Sequence, residues 1–122
     1  MNSPGWVDWE LWDDAIKLKD ITIDRMKGSV HPVHPEIIYP IDYGYVNETS
    51  SADGEEQDIF VGTVENGLVG AIFTVDRRKG DRECKFIYNC SREEIYLING
   101  FINFAPDLMN GRLLLRHEMK EI

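Results

Sequence analysis

With 122 residues, 43% of them hydrophobic and 11% aromatic, the chain is long enough for one core and too apolar to remain disordered. A net charge of −9 argues against nucleic acid as the main partner, because phosphate backbones call for a basic stripe, and it suits cations instead. No apolar run approaches the ~20 residues of a membrane span, and the acidic opening "MNSPGWVDWELWDD" lacks a basic segment leading into an apolar one, so neither a membrane partner nor a signal peptide is expected.

Within 4–15, Trp6, Trp9 and Trp12 recur every third residue, which predicts a short helix whose tryptophans cover the core or a neighbouring subunit. From Ile16 the period changes. Ile16, Leu18, Ile21 and Ile23 roughly alternate with polar residues over 16–25, which predicts a strand. The stretch "MKGSVHPVHPE" holds a Gly-Ser pair and two His-Pro units. Proline removes donors and biases the preceding residue away from helix, so this is a loop or edge segment. His31 and His34 within it suit either a metal site or an ordered loop.

Three further strands are expected at 57–64, 68–76 and 83–89, with Glu65-Asn66-Gly67 as a hairpin turn between the first two and 77–82 as a charged turn before the last. Ser91 and Glu94 form a capping box opening a helix striped by Ile95, Ile98 and Ile102, with Gly100 as its weak point. Residues 112–122 are a short strand or helix. The plan is mainly antiparallel β with one packed helix near the C-terminus and a short N-terminal helix, which favours a small barrel or sandwich. Cys84 and Cys90 lack the second pair or flanking histidine of a zinc site, and two buried or half-buried thiols suit a reducing, cytoplasmic location.

The segment 38–58, "IYPIDYGYVNETSSADGEEQD", is the candidate site. Asp53, Glu55 and Asp58 stand at i, i+2 and i+5, with Gly54 allowing the chain to turn so that the carboxylates converge. With no Lys or Arg adjacent in sequence they would repel one another, and a hard divalent cation such as Mg²⁺ relieves that repulsion. An ordinary solvated Asp-Gly loop accounts for the same acids, and the EF-hand spacing is not met. Upstream, Pro40 and Gly44 are expected to set turns that gather Tyr39, Tyr43 and Tyr45. Their rings belong either to the core or to a site in which one hydroxyl reaches a phosphoryl oxygen or a metal-bound water.

Taken together, "IDRMKGSVHP", "IYPIDYGYV" with a Thr behind it, and "ADGEEQD" resemble the soluble family I inorganic pyrophosphatases, most closely their short pyrophosphatase-like form. That family carries "YPxNYGYxxxT" followed by "DGDPxD", and the specific part of the match covers 23–58. The resemblance implies an OB-like five-stranded antiparallel barrel with a packed helix, formed by one domain over 1–122. It also implies Mg²⁺-dependent hydrolysis of inorganic pyrophosphate, or a related small phosphoanhydride, by metal-bound water, with Mn²⁺ as an alternative ion. Homo-oligomers are common in the family.

Matched by position, Asp53 and Asp58 become metal ligands, Asp58 bridging two ions. Glu55 takes the place of the middle aspartate, ligating and activating the water with a side chain one methylene longer, and Tyr43 becomes a hydroxyl donor at the site. Arg25 and Lys85 are the phosphate-binding cations. Asp76 and Asp81 are the further metal ligands, with Glu83 competing for the place of Asp81. The family's C-terminal Tyr-Lys pair is absent, since "EEIYLINGFINF" has Tyr96 without a lysine after it. A non-catalytic phosphate- or metal-binding member of the fold, acting as an assembly subunit, is the alternative.

Overall fold

The computed structural model describes residues 6–50 and 54–122. Helix α1 (Trp9–Lys19) is capped by the Asp8 carboxylate, which accepts from the Leu11 amide. The strand expected from Ile16 begins only at β1 (Ile21–Arg25), because the residues before it finish the helix. Burial explains the correction: Ile16 is 2% exposed and Leu18 83%, so the two do not share a strand face. Ile16 instead continues a helical stripe with Trp9 and Trp12 that packs against the sheet. Trp6 precedes the helix and is exposed.

Five more strands follow: β2 (Asp42–Val46), β3 (Gln57–Val61), β4 (Leu68–Asp76), β5 (Arg82–Tyr88) and, after helix α2 (Arg92–Asn103), β6 (Met109–Leu115). A 3₁₀ turn at Met119–Glu121 ends the chain's regular structure. The fold is mainly β and OB-like, as expected. The expected five antiparallel strands become six, in one open sheet ordered β1-β2-β3-β5-β4-β6, with β3 and β5 parallel. The expected hairpin at Glu65-Asn66-Gly67 is therefore not one, since β5 lies between β3 and β4. The connection 62–67 binds the end of β5 and the residues after it instead: Gly62 donates to Tyr88 O, Val64 to Asn89 O, and the Asn66 amide to Cys90 O. Those bonds satisfy the connection's polar groups and carry the chain across the sheet end. The charged turn at 77–82 does join an antiparallel pair, β4 and β5.

Gly44 was expected in a turn but sits inside β2, paired with Ile23 and Ile59. A Cβ there would run into the carbonyl of Thr22, so glycine is required by the close approach of β1. Strand alternation gives the sheet two covered faces. Phe60 and Ile87 point towards α2 and meet Ile95, Ile98 and Ile102, while Ile59 and Phe86 point the other way and meet Val7 and Ile16. Trp12 meets Phe86 edge-on at 5.0 Å. Cys84 is half-buried and Cys90 buried, with no disulfide between them, and burial followed by the nearby Glu94 charge pushes the Cys90 thiol up to about 12. Among the described residues, no helix is long and apolar enough to cross a membrane.

The capping box forms as expected: the Glu94 amide binds Ser91 Oγ, and the Glu94 carboxylate accepts from the Ser91 amide at 2.9 Å. That carboxylate also accepts from the amide and hydroxyl of Thr63, tying α2 to the segment after β3. Gly44→Ala should destabilise the fold by more than about 4 kcal/mol or prevent folding, and Glu94→Ala should cost about 1–2 kcal/mol, both measured by denaturant unfolding.

Candidate functional site

Three neighbouring strands each send one polar side chain to the α2 face at the same level. Tyr43 on β2 lies opposite Phe60, and Asp58 precedes Phe60 by two residues on β3, so all three share a face. The parallel register sets Ile59 beside Phe86, which places Asp58 beside Lys85. Asp58 Oδ2 accepts from Tyr43 Oη at 2.7 Å and from Lys85 Nζ at 2.9 Å, and Lys85 Nζ also donates to Tyr43 Oη at 2.8 Å. Glu83 approaches the same ammonium at 3.7 Å.

Lys85 is 7% exposed. Burial disfavours its charge, but the surrounding oxygens of Tyr43, Asp58 and Glu83 outweigh that cost and hold its pKa above the ordinary lysine value. Tyr43 is shifted upward first by burial, so at neutral pH it is a hydroxyl donor and not a base. The Lys85 ammonium lies 5.3 Å from the Tyr43 ring centre, and Tyr43 in turn stacks on Tyr39 at 5.6 Å. Arg25 faces Tyr43 across the β1–β2 pair, with its guanidinium 5.7 Å from the Tyr39 ring centre. Tyr39 is buried among these rings and also meets Phe101 of α2.

The acidic loop is closed by Thr49. Its hydroxyl donates to Val46 O and accepts from the Gln57 amide, so the ends of the loop are pinned where β2 and β3 begin to pair. Asp53 lies outside the described residues. Glu55 is exposed near the start of β3, and Asp58 is half-buried. The hairpin acids Asp76, Asp81 and Glu83 lie along β4, its turn and β5. Asp76 is buried, and its Oδ1 accepts from the amides of Arg78 and Lys79 at 3.0 and 3.2 Å. Burial opposes ionisation there, but those amides and the Arg78 charge prevail and lower its pKa. Asp81 is exposed at the turn and binds through its carbonyl to the Asp76 amide. Glu83 reaches Lys85, so of the two competing acids it is Glu83 that joins the cluster. Among the described residues, no three acids, histidines or cysteines gather into a metal-binding group.

Beside the cluster lies a cavity of about 320 Å³ between β2, β3 and β5, the loop through His31 and His34, and the end of α2. Tyr43 and Lys85 line it on the sheet side, and Arg78, His34 and Glu36 are its polar rim. Sequence reading passed over this wall of Phe101, Phe104 and Leu108; the available signal was aromatic residues where the stripe of α2 ends.

The His-Pro loop is organised by His31. Its Nδ1 accepts from the amides of Val33 and His34 at 3.1 and 3.2 Å, and its ring lies parallel to Tyr39. Arg78 Nη1 stands 3.1 Å from His34 Nε2, and because arginine can only donate, His34 Nε2 is the acceptor. The His31 pKa is lowered, first by burial, then by the charges of His34, Arg25 and Arg78. A histidine whose folded pKa is depressed contributes stability that is present above 6.5 and lost as pH falls from there towards the folded value. The melting-temperature gap between the wild type and His31→Ala should therefore narrow as pH falls from about 7 to 5; a constant gap across that range would remove the role of Nδ1.

No protein-family model matches the chain, and no curated protein sequence matches it. Solved structures do. The chain resembles an inorganic pyrophosphatase from Helicobacter pylori at 16% identity and a TM-score of 0.56, over 79% of this chain and 83% of that one. It also resembles an inorganic phosphatase from Anaplasma phagocytophilum at 16% identity and a TM-score of 0.51, over 78% and 80% of the two chains. At these identities the likeness establishes a shared fold.

Proposed function

We propose that this chain hydrolyses a small phosphoanhydride, with inorganic pyrophosphate as its reference substrate, at a site centred on Asp58. The observation that supports this most is the meeting of Tyr43, from the tyrosine-rich motif, and Asp58, from the acidic motif, at the buried ammonium of Lys85. The fold shared with pyrophosphatases supports it independently.

The donor chemistry of the acidic loop fits Mg²⁺ or Mn²⁺, since Asp53, Glu55 and Asp58 are all hard oxygen ligands. Asp76 brings the same oxygen chemistry, with its Oδ1 already accepting from two amides of its own turn. When bound, the ion would neutralise phosphoryl oxygens and acidify water. Asp58, with Asp53 and Glu55, would hold the ion beside the Lys85 ammonium. Lys85 would present its ammonium to a phosphoryl oxygen, with Tyr43 holding the Asp58 carboxylate in place by its hydroxyl. Arg25 would add a second phosphate-facing cation from β1, and Glu55 would orient and deprotonate the attacking water from the loop. In the same reading the chain works in the cytoplasm, forms homo-oligomers, and binds neither nucleic acid nor membrane.

A second reading, a non-catalytic phosphate- or metal-binding subunit, is favoured by α2, where Tyr96 has no lysine after it. Phosphate release from pyrophosphate separates the two. Hydrolysis should require Mg²⁺ or Mn²⁺, and Asp58→Asn should lower kcat/KM by about 100-fold or more. Absence of release by the wild type at any divalent concentration would leave only the binding reading.

A further inference from the structure

Bare pyrophosphate has no apolar surface to cover, yet most of the cavity beside Lys85 is walled by carbon. Tyr39, Phe60, Phe101, Phe104, Leu108 and Met109 form that wall. Phe104 stays 61% exposed at its edge, with no place in either core cluster. The charged lining is two permanent cations, Lys85 and Arg78, against one carboxylate, Glu36, in a chain whose net charge is −9. Glu36 is itself 3.7 Å from His34. Two permanent cations and an aromatic wall thus share one cavity of about 320 Å³, a size typical of sites that enclose an organic ligand.

We infer that this cavity takes an organic diphosphate of the nucleoside diphosphate type, its phosphates towards Lys85 and Arg78 and its flat ring against Phe101 and Phe104. The assignment deepens the proposed function and rests on Lys85 being a phosphate-facing cation. A flat ring suits the wall because aromatic side chains hold planar groups by stacking and edge contacts, without requiring a particular base. Arg78 is poised at the rim by Asp76 behind it and His34 in front, so its guanidinium is oriented before any ligand arrives.

Calorimetric titration of the full chain with Mg²⁺ present tests this, using the methylene-bridged analogue of adenosine diphosphate, methylenediphosphonate and adenosine. The nucleotide analogue should bind about tenfold or more tighter than either of the others. Phe104→Ala, a change at an exposed side chain, should erase the advantage over methylenediphosphonate while leaving methylenediphosphonate binding unchanged. Equal affinity for the two diphosphonates would overturn the organic-substituent inference while leaving pyrophosphate hydrolysis standing. Adenosine binding as tightly as the nucleotide analogue would overturn the phosphate end. Binding of neither diphosphonate would overturn the inference, and the phosphate-release assay would then report separately on hydrolysis.

Discussion

A buried ammonium must be matched by oxygens or it gives up its charge, and Lys85 meets that constraint with Tyr43 and Asp58 from two other strands and Glu83 from its own. Tyr43, Asp58 and Glu83 can surround it only if β2, β3 and β5 lie side by side in one register. A shift of one residue in either pairing would turn Asp58 or Lys85 to the opposite face, among Ile59 and Phe86. The charge network therefore specifies the central register at least as much as it stabilises the fold.

The parallel β3–β5 pair makes the network possible, and its surroundings are built to hold it. The buried Gln57 side chain bridges the backbones at its start, donating to Asp58 O and Cys84 O. At its far end, the segment after β3 binds the last residues of β5, and Glu94 ties Thr63 to the first turn of α2. Thr49 pins the acidic loop just before β3. Side chains that fix backbone geometry thus border every side of the polar cluster, which is the support a site needs if its groups are to stay within a fraction of an ångström.

The two acidic segments play opposite parts. On the loop side, Asp58 is shared between a hydroxyl and an ammonium, both of which can exchange partners. On the hairpin side, Asp76 Oδ1 accepts from amides of its own turn, a geometry that shapes the tip beside the Arg78–His34 contact. Arg78 and His34 then join two loops that are far apart in sequence. The cavity wall owes its carbon to the end of α2, where the helical stripe gives way to Phe104 and Leu108.

Local chemistry was legible in the sequence wherever a few adjacent residues decide the outcome. The capping box at Ser91 and Glu94, the stripe of Ile95, Ile98 and Ile102, the charged turn at 77–82 and the strand cores of β3, β4 and β5 could all be read directly. The coupling of the tyrosine motif to the acidic motif was legible only through the family resemblance. The end of α1 was not, because Ile16 and Leu18 fit a two-residue period until burial separates them. Nor was the strand order: a turn sequence such as Glu65-Asn66-Gly67 specifies a bend, and only the bonds it makes to β5 decide which strand lies alongside. Gly44 read as a turn residue because glycine permits turns, whereas the fold uses it for the room it leaves Thr22. The pairing of Lys85 with Asp58, 27 residues apart, and the aromatic cavity beside them belong to tertiary structure alone, since both are made by strands and loops that meet only after the sheet has formed.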